Sequence, residues 1–282
     1  SKGNHRAHVL AGSSVVMVGA ERILLSMPVI LKNQELYTPE DFQERVLCRL
    51  DAALCARRAA KAYVRIVIDP GHGGKDPGAV SRCGLYEKDI VLDISRRLER
   101  RLSSGGYDVQ LTRATDVFLT LEERTRRATD WDADIFISVH ANASPSERAA
   151  GFEVWTARDL TGADLMEAQR EKNQSLFFSR KNMQRRNRFL EKTLEDMMYR
   201  HKHRQSLDLA SAVSKNYVRS VGNRGLKESG FFVLKNTLVP SVLIEVGFLS
   251  NSREADRLRQ TALRQEIADS IADGVIEYLR SL

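Results

Sequence analysis

Cysteine is scarce in this sequence, with three in 282 residues. Cys48, Cys55 and Cys83 are too few and too irregularly spaced for a disulfide framework or a cysteine zinc site. Cys48 and Cys55, two helical turns apart, read as core thiols. No apolar run approaches the ~20 residues needed to cross a bilayer, so no membrane span is expected. The opening Ser1-Lys2-Gly3-Asn4-His5 does not lead into the apolar stretch of a signal peptide, as a mature or trimmed start would not. No internal repeat is visible. The net charge of +7 is absent from most of the chain, because Arg170 to Arg204 holds eleven Lys/Arg against four Asp/Glu, the whole excess. Such a stretch is a solvated helix face or a surface for an acidic polymer, an anionic membrane or an acidic partner. The remainder, in a chain 42% hydrophobic and 29% charged, suits one large globular domain or two unequal ones.

The stretch Asp69-Pro70-Gly71-His72-Gly73-Gly74-Lys75-Asp76-Pro77-Gly78-Ala79 organises the rest. It follows the β-branched run Val64 to Ile68 and traces a turn that needs glycine and proline. If that run is a strand, His72 sits just past its carboxyl end, where open α/β sheets place ligands.

Before it, residues 1–12 read as a disordered arm. Val15 to Val18 and Arg22 to Leu25 form a hairpin about Gly19-Ala20, and Thr38-Pro39-Glu40-Asp41 starts a helix whose stripe is Phe42, Val46, Leu50 and Leu54. After it, strands are predicted at Val64–Ile68, Tyr107–Leu111, Ile135–Val139, Gly151–Trp155, Phe231–Leu234 and Val242–Ile244. Helices intervene: one carries Ile90 to Leu102 and ends at Gly105-Gly106, and one starts at the capping box Thr120-Leu121-Glu122-Glu123. The closing helix carries Leu263, Ile267, Ile271, Val275 and Leu279. The pattern predicts an α/β fold: a six-stranded, mostly parallel twisted sheet flanked by helices, with a small N-terminal ββα-like unit. Between Trp155 and Phe231 no strand is predicted. Asp164 to Arg204 read as long charged helices and Leu207 to Val221 as an amphipathic one, so about 159–205 is an insertion.

Three polar residues end predicted strands: His72, His140 in Ser138-Val139-His140-Ala141-Asn142, and Glu245 in Leu243-Ile244-Glu245-Val246-Gly247. Glu87 begins the helix after the His72 loop. In a parallel sheet these positions face one crevice. Two imidazoles and a carboxylate with one position open is the pattern of catalytic zinc. A second carboxylate beside the metal would take a proton from water and hand it to a leaving nitrogen. Each has a structural alternative: a core histidine, a helix-start acid, a salt-bridged core acid.

The His72 loop, Glu87-Lys88-Asp89, Ser138-Val139-His140-Ala141-Asn142-Ala143 and the run Pro240-Ser241-Val242-Leu243-Ile244-Glu245-Val246-Gly247-Phe248-Leu249-Ser250-Asn251 together resemble the zinc-dependent N-acetylmuramoyl-L-alanine amidases of bacterial cell-wall turnover, over about Val64 to Leu282. The resemblance implies one zinc ion on His72, Glu87 and His140, with Glu245 as catalytic acid/base. It also implies cleavage of the amide between the lactyl group of N-acetylmuramic acid and L-alanine in peptidoglycan, in a periplasmic or other extracytoplasmic compartment. Asp69, Asp76, Asn142, Arg113 and Arg124 are candidates for substrate contact or for support of the ligands. A departure is Ala128-Thr129, where members commonly have Ala-Asn. Cell-division members carry a helical insertion that occludes the site until an activator protein draws it away. The segment 159–205 resembles it, with Glu171, or Glu167, capping the metal. Residues 1–62 resemble, more loosely, the amine-oxidase N-terminal-like modules of some wall enzymes, leaving 63–282 as catalytic domain.

Rival functions fit less well. A phosphate-binding loop needs a Gly-Lys-Ser/Thr ending that Gly71 to Lys75 lacks. A catalytically silent wall-binding or activator module would not keep all four site positions. Nucleic-acid binding would rest on Phe177, Phe178 and Tyr199 as an aromatic platform in the basic stretch, and no recognised module accompanies them. His201-Lys202-His203 reads as a solvated basic turn rather than a second metal site.

Overall fold

In the computed structural model the described residues are 7–10, 13–18, 21–32, 35–39, 42, 45–46, 64–158, 188–218 and 221–282, with backbone alone for 8, 31–36 and 188–198. The chain divides into two compact units, Ser1–Ala62 with Phe178–Tyr199, and Tyr63–Phe177 with Arg200–Leu282.

In the first unit, β1 (Ala7–Val9), β2 (Val15–Val18) and β3 (Glu21–Leu24) form an antiparallel sheet in that order, and β4 (Ile30–Lys32) pairs with β5 (Glu35–Tyr37). The predicted hairpin is there. Of the expected disordered arm over 1–12, Ala7, His8 and Val9 instead pair with Val18, Met17 and Val16, and residues 1–6, 11 and 12 lie outside the described residues. Strand alternation buries Val16 and Val18, which pack with Ile23, Leu25, Val29, Phe42 and Val46. Most of the predicted helix after Thr38 lies outside the described residues.

The second unit holds a six-stranded sheet in the order β10-β9-β11-β8-β6-β7. The strands are β6 (Arg65–Pro70), β7 (Asp108–Leu111), β8 (Ile135–Asn142), β9 (Phe152–Ala157), β10 (Asn223–Ser229) and β11 (Ser241–Phe248). All neighbours run parallel except β9 and β11, which are antiparallel. The helices are α1 (Glu87–Ser104), α2 (Leu121–Asp130), α3 (Arg188–Asn216), of which the part from Arg200 belongs to this unit, α4 (Phe232–Asn236), α5 (Ser252–Leu258) and α6 (Thr261–Arg280).

Three predictions from sequence are corrected. Phe231–Leu234 is not a strand; Phe232–Asn236 is a short helix, since a run of four apolar residues carries no period that separates the two. The sixth strand is Asn223–Ser229, inside the stretch read as strandless. It is an edge strand with Leu226 as its one aliphatic residue, so it lacks the apolar signal of a buried strand. From Arg188, the charged segment and the amphipathic one expected to divide near residue 205 are one continuous helix to Asn216; the expected helices before Arg188 lie outside the described residues.

The sheet's two faces explain where the polar site lies. Ile66, Ile68, Ile135, Ile137, Val139, Val242 and Ile244 pack with residues of α1, α3 and α6 in the larger core. The alternate residues Val67, Phe136 and Leu243 form a smaller core with Ala128, Val233 and Leu234 of α2 and α4. Continuing along those same rows toward the site, each strand turns polar. Asp69 follows Val67, Ser138 and His140 follow Phe136, and Glu245 follows Leu243. On antiparallel β9, Glu153 precedes Trp155 on that row. The site is the polar end of the smaller core. No described helix is long and apolar enough to cross a membrane.

Candidate active site

The loop after β6 places His72 by force of its backbone. His72 has φ 57°, a left-handed conformation uncommon outside glycine. Arg124 holds the loop from below, its Nη1 donating to Pro70 O at 2.7 Å and its Nη2 to His72 O at 2.7 Å. Arg113 donates from Nε to Pro70 O (3.0 Å) and from Nη2 to Gly71 O (2.7 Å) and Lys88 O (2.9 Å). Asp69, 1% exposed, accepts from Arg124 Nη1 (2.8 Å), Thr112 Oγ1 (2.5 Å) and Ser138 Oγ (2.9 Å). Both arginines are buried beneath the loop, so their place is in its support and not on a substrate-facing surface.

Glycine is needed at two loop positions. A Cβ on Gly71 would stand 2.2 Å from His140 Cε1, and one on Gly78, at φ 65°, 2.5 Å from Glu87 Oε2. The loop therefore closes directly over the side chains it serves.

His72 Nδ1 is 2.8 Å from Asp76 Oδ2, which orients the ring with Nε2 turned toward Glu87. Glu87, the first residue of α1 and 4% exposed, accepts from Ala79 N on Oε2 (2.8 Å) and from Ala141 N on Oε1 (3.0 Å). Its Oε1 also lies 3.1 Å from His72 Nε2 and 2.9 Å from His140 Nδ1. The imidazole rings are 5.0 Å apart, nearly perpendicular. One donor atom from each of His72, Glu87 and His140 lies within 4.8 Å of the others, a geometry able to hold a metal ion. Burial pushes the Glu87 carboxyl up, but the hydrogen bonds and charges of His140 and His72 outweigh it and hold it well below the usual carboxylate range. Burial likewise opposes protonation of His72, and the hydrogen bonds and charges of Glu87 and then Asp76 reverse that, raising it above the ordinary imidazole value.

Glu245 pairs in register with His140 on one side and Glu153 on the other. The residue is half-buried, while its Oε2 is sealed from solvent with no hydrogen-bond partner among the described residues. Burial is the main cause that pushes this carboxyl up to about 7; Glu87 and Glu153 add to it and His140 opposes it.

Asn142 donates from Nδ2 to Glu153 Oε2 at 3.2 Å rather than pointing toward the histidines. Glu167 and Glu171 lie outside the described residues. The His201-Lys202-His203 segment is helical rather than a solvated turn, and Lys202 is buried, donating to Leu234 O (2.5 Å) and Thr237 O (2.7 Å).

Sequence reasoning missed Glu153 and Glu254. Glu153 accepts from Arg224 Nε and Lys227 Nζ, both at 2.6 Å, and from Trp155 Nε1 at 3.2 Å. Glu254 takes Gly151 N (2.8 Å) and Phe248 N (2.7 Å), tying the start of β9 to the end of β11. An acid between Phe152 and Val154 was the available signal for Glu153, but alternation reads it as a solvent-facing position.

The comparisons with known proteins agree with this geometry. The family profile described as N-acetylmuramoyl-L-alanine amidase matches residues 66–277. The chain is 36% identical over 218 residues to N-acetylmuramoyl-L-alanine amidase AmiA of Escherichia coli K12, covering 76% of this chain and 75% of that one. Among solved structures, the amidase AmiC2 of Nostoc punctiforme aligns with a TM-score of 0.57 at 28% identity, covering 77% of this chain and 97% of that one. The CwlD amidase of Clostridioides difficile, solved in complex with the GerS lipoprotein, aligns with a TM-score of 0.60 at 26% identity, covering 78% and 100%. The match includes every strand that carries a site residue, from His72 to Glu245, and the chain belongs to the N-acetylmuramoyl-L-alanine amidase family.

Proposed function

We propose that the chain hydrolyses the amide between the lactyl group of N-acetylmuramic acid and the L-alanine of the peptidoglycan stem, outside the cytoplasm. In this reading one zinc ion is held by His72, Glu87 and His140, and Glu245 is the catalytic residue that moves the proton. The observation that carries it is the convergence of three donor atoms from separate elements within 4.8 Å, with the unpartnered Glu245 Oε2 on the adjoining strand. Two imidazoles and one carboxylate fit zinc with a position left open. When bound, zinc supplies Lewis acidity, lowering the pKa of a water to about 7 and polarising a carbonyl oxygen.

The protein's own part is orientation and proton transfer. With the metal bound, Asp76 would hold the His72 proton on Nδ1 so that Nε2 offers its lone pair, and the amides of Ala79 and Ala141 fix both oxygens of Glu87. A Glu245 carboxyl near neutrality both accepts the proton of an attacking water and returns it to the departing nitrogen of L-alanine. Glu245→Gln is expected to keep fold and zinc content while release of stem peptides from purified sacculi falls by roughly a hundredfold or more. A variant of undiminished activity overturns the assignment.

The segment 159–205 is proposed to occlude the site, with Glu171 or Glu167 reaching the metal until an activator protein docks. Its length within a crossover and the complex formed by the related CwlD amidase support this reading. Since α3 is continuous and Lys202 is buried in it, the test replaces 160–187 by a Gly/Ser linker and leaves α3 whole. Faster lysis of sacculi is expected; equal rates end the occlusion idea.

A further inference from the structure

One cluster beside the site is not used by the chemistry above. Glu153 is a buried acid, and its carboxylate meets two cations where one would neutralise it. Neither cation is consumed by the contact. Arg224 donates to Glu153 through Nε, and its terminal Nη groups have no hydrogen-bond partner among the described residues; its side chain is 42% exposed. Lys227 uses one of three N–H groups on Glu153, lies 5.0 Å from the centre of the Trp155 ring and is 31% exposed.

This pair is built rather than incidental. In a regular strand, residues three apart point to opposite faces. The β10–β9 register slips between Asn223 and Leu226, where Gly225 has φ 81°, and this bulge brings Arg224 and Lys227 to the same carboxylate oxygen. Gly151 leaves room for the arginine stem, since a Cβ there would lie 3.0 Å from Arg224 Cγ and 2.4 Å from Gly222 O.

The sheet order sets what such a pair would meet. From β10 the row runs through Glu153 (β9), Glu245 (β11), His140 (β8) and His72 (after β6) to the loop after β7, where Val117 and Phe118 are exposed and Lys75 stands over the Phe118 ring. Neighbouring strands lie about 4.8 Å apart, so β10 is about 10 Å from β11, a span that about three residues of extended peptide cover. The donors of both side chains sit nearer, on Glu153 of β9, within reach of a free carboxylate on the second residue of a stem peptide leaving the scissile amide.

We propose that Arg224 and Lys227, held together on Glu153, form the subsite for a carboxylate of the stem peptide, so that the peptide lies on the β9–β10 side of the scissile bond and the glycan on the β7 side. The inference rests on the amidase reading and adds to it the orientation and charge preference of the substrate.

The test uses the full chain with its metal and two substrates that differ by one carboxylate, N-acetylmuramoyl-L-alanyl-D-glutamate and its isoglutamine counterpart. The wild type is expected to prefer the free acid by about tenfold in kcat/KM, mostly through KM. Arg224→Gln with Lys227→Gln brings the ratio near one, and Arg224→Lys with Lys227 intact restores part of it. Should the double variant fail to fold, Lys227→Gln alone, which leaves Glu153 paired, is expected to lower the ratio severalfold. A ratio that none of these variants moves overturns the proposal. A wild type that cleaves neither substrate, with the 160–187 linker variant equally inactive on both, refutes the amidase reading instead. The subsite is then read by calorimetry with L-alanyl-D-glutamate and L-alanyl-D-isoglutamine, and equal affinities for wild type and variants overturn it.

Discussion

Two regions of the catalytic unit each place two cations near one buried acid, and they use them in opposite ways. Beneath the His72 loop, Arg113 and Arg124 are 1% and 3% exposed, and their guanidinium groups are turned onto the carbonyls of Pro70, Gly71, His72 and Lys88. At the β9–β10 corner, Arg224 and Lys227 each give Glu153 one hydrogen bond and keep donors facing solvent. The first cluster converts charge into a rigid backbone path. The second holds charge ready for something that arrives. What separates them is not residue type but how many donors the fold itself satisfies.

The comparison is broken most directly at Asp69. Asp69→Ala strips the buried Arg124 of its carboxylate, takes the acceptor from Thr112 Oγ1 and leaves Ser138 Oγ with its 3.5 Å contact to the residue 69 carbonyl, so a loss on the order of 3–5 kcal/mol is expected in chemical denaturation. A loss below about 1 kcal/mol would mean the loop does not depend on its buried charge. Gly71→Ala is the next largest. A methyl group there overlaps the His140 ring, so zinc affinity measured by competition with a chelator is expected to fall by roughly ten- to a hundredfold.

At the other cluster the expected effect on stability is smaller. Lys227→Gln leaves Arg224 on Glu153, so a change within about 1 kcal/mol is expected. The pH dependence sharpens the contrast. Burial raises the Glu153 carboxyl, but the hydrogen bonds and charges of Lys227 and Arg224 bring it below the ordinary glutamate value. A folded-state value below the unfolded one gives stability that is complete above the unfolded pKa of about 4.3 and drains away as pH falls through the folded one. Removing both cations should therefore flatten the loss of stability between about pH 5 and pH 2. An unchanged acid limb would show that the corner carries no net ion-pair energy.

The parts of the site legible in sequence were those whose chemistry constrains the backbone. The His72 loop could be read as a fixed turn because Gly73, Gly74 and Gly78 take the positive φ that favours glycine, and the capping box at Thr120 and Glu123 forms as its pattern implies. The convergence of His72, His140 and Glu87 followed from parallel strand ends. What stayed hidden depended on pairing between distant segments. β10 reads as loop because an edge strand needs few apolar residues, and Phe231 to Leu234 reads as strand because four apolar residues fit either period. Arg113 and Arg124 were visible as candidates, but only the fold turns them inward. Glu153 could not be singled out without knowing that β9 lies beside β11 in reverse direction.

The edge position of β10 has a consequence for the order in which the protein comes apart. The pairing that brings the two histidine strands' ends together, β6 with β8, and the pairing of β10 with β9 each span more than sixty residues of intervening chain, so loop closure does not separate them. β10 has a strand neighbour on one side alone, and weakly covered elements are among the first pieces to open from the native state. The corner that presents Arg224 and Lys227 is therefore expected to be the readily exchanging part of the site. A chain with its histidines in place can still lack its charged edge, and metal content alone would count that chain as whole.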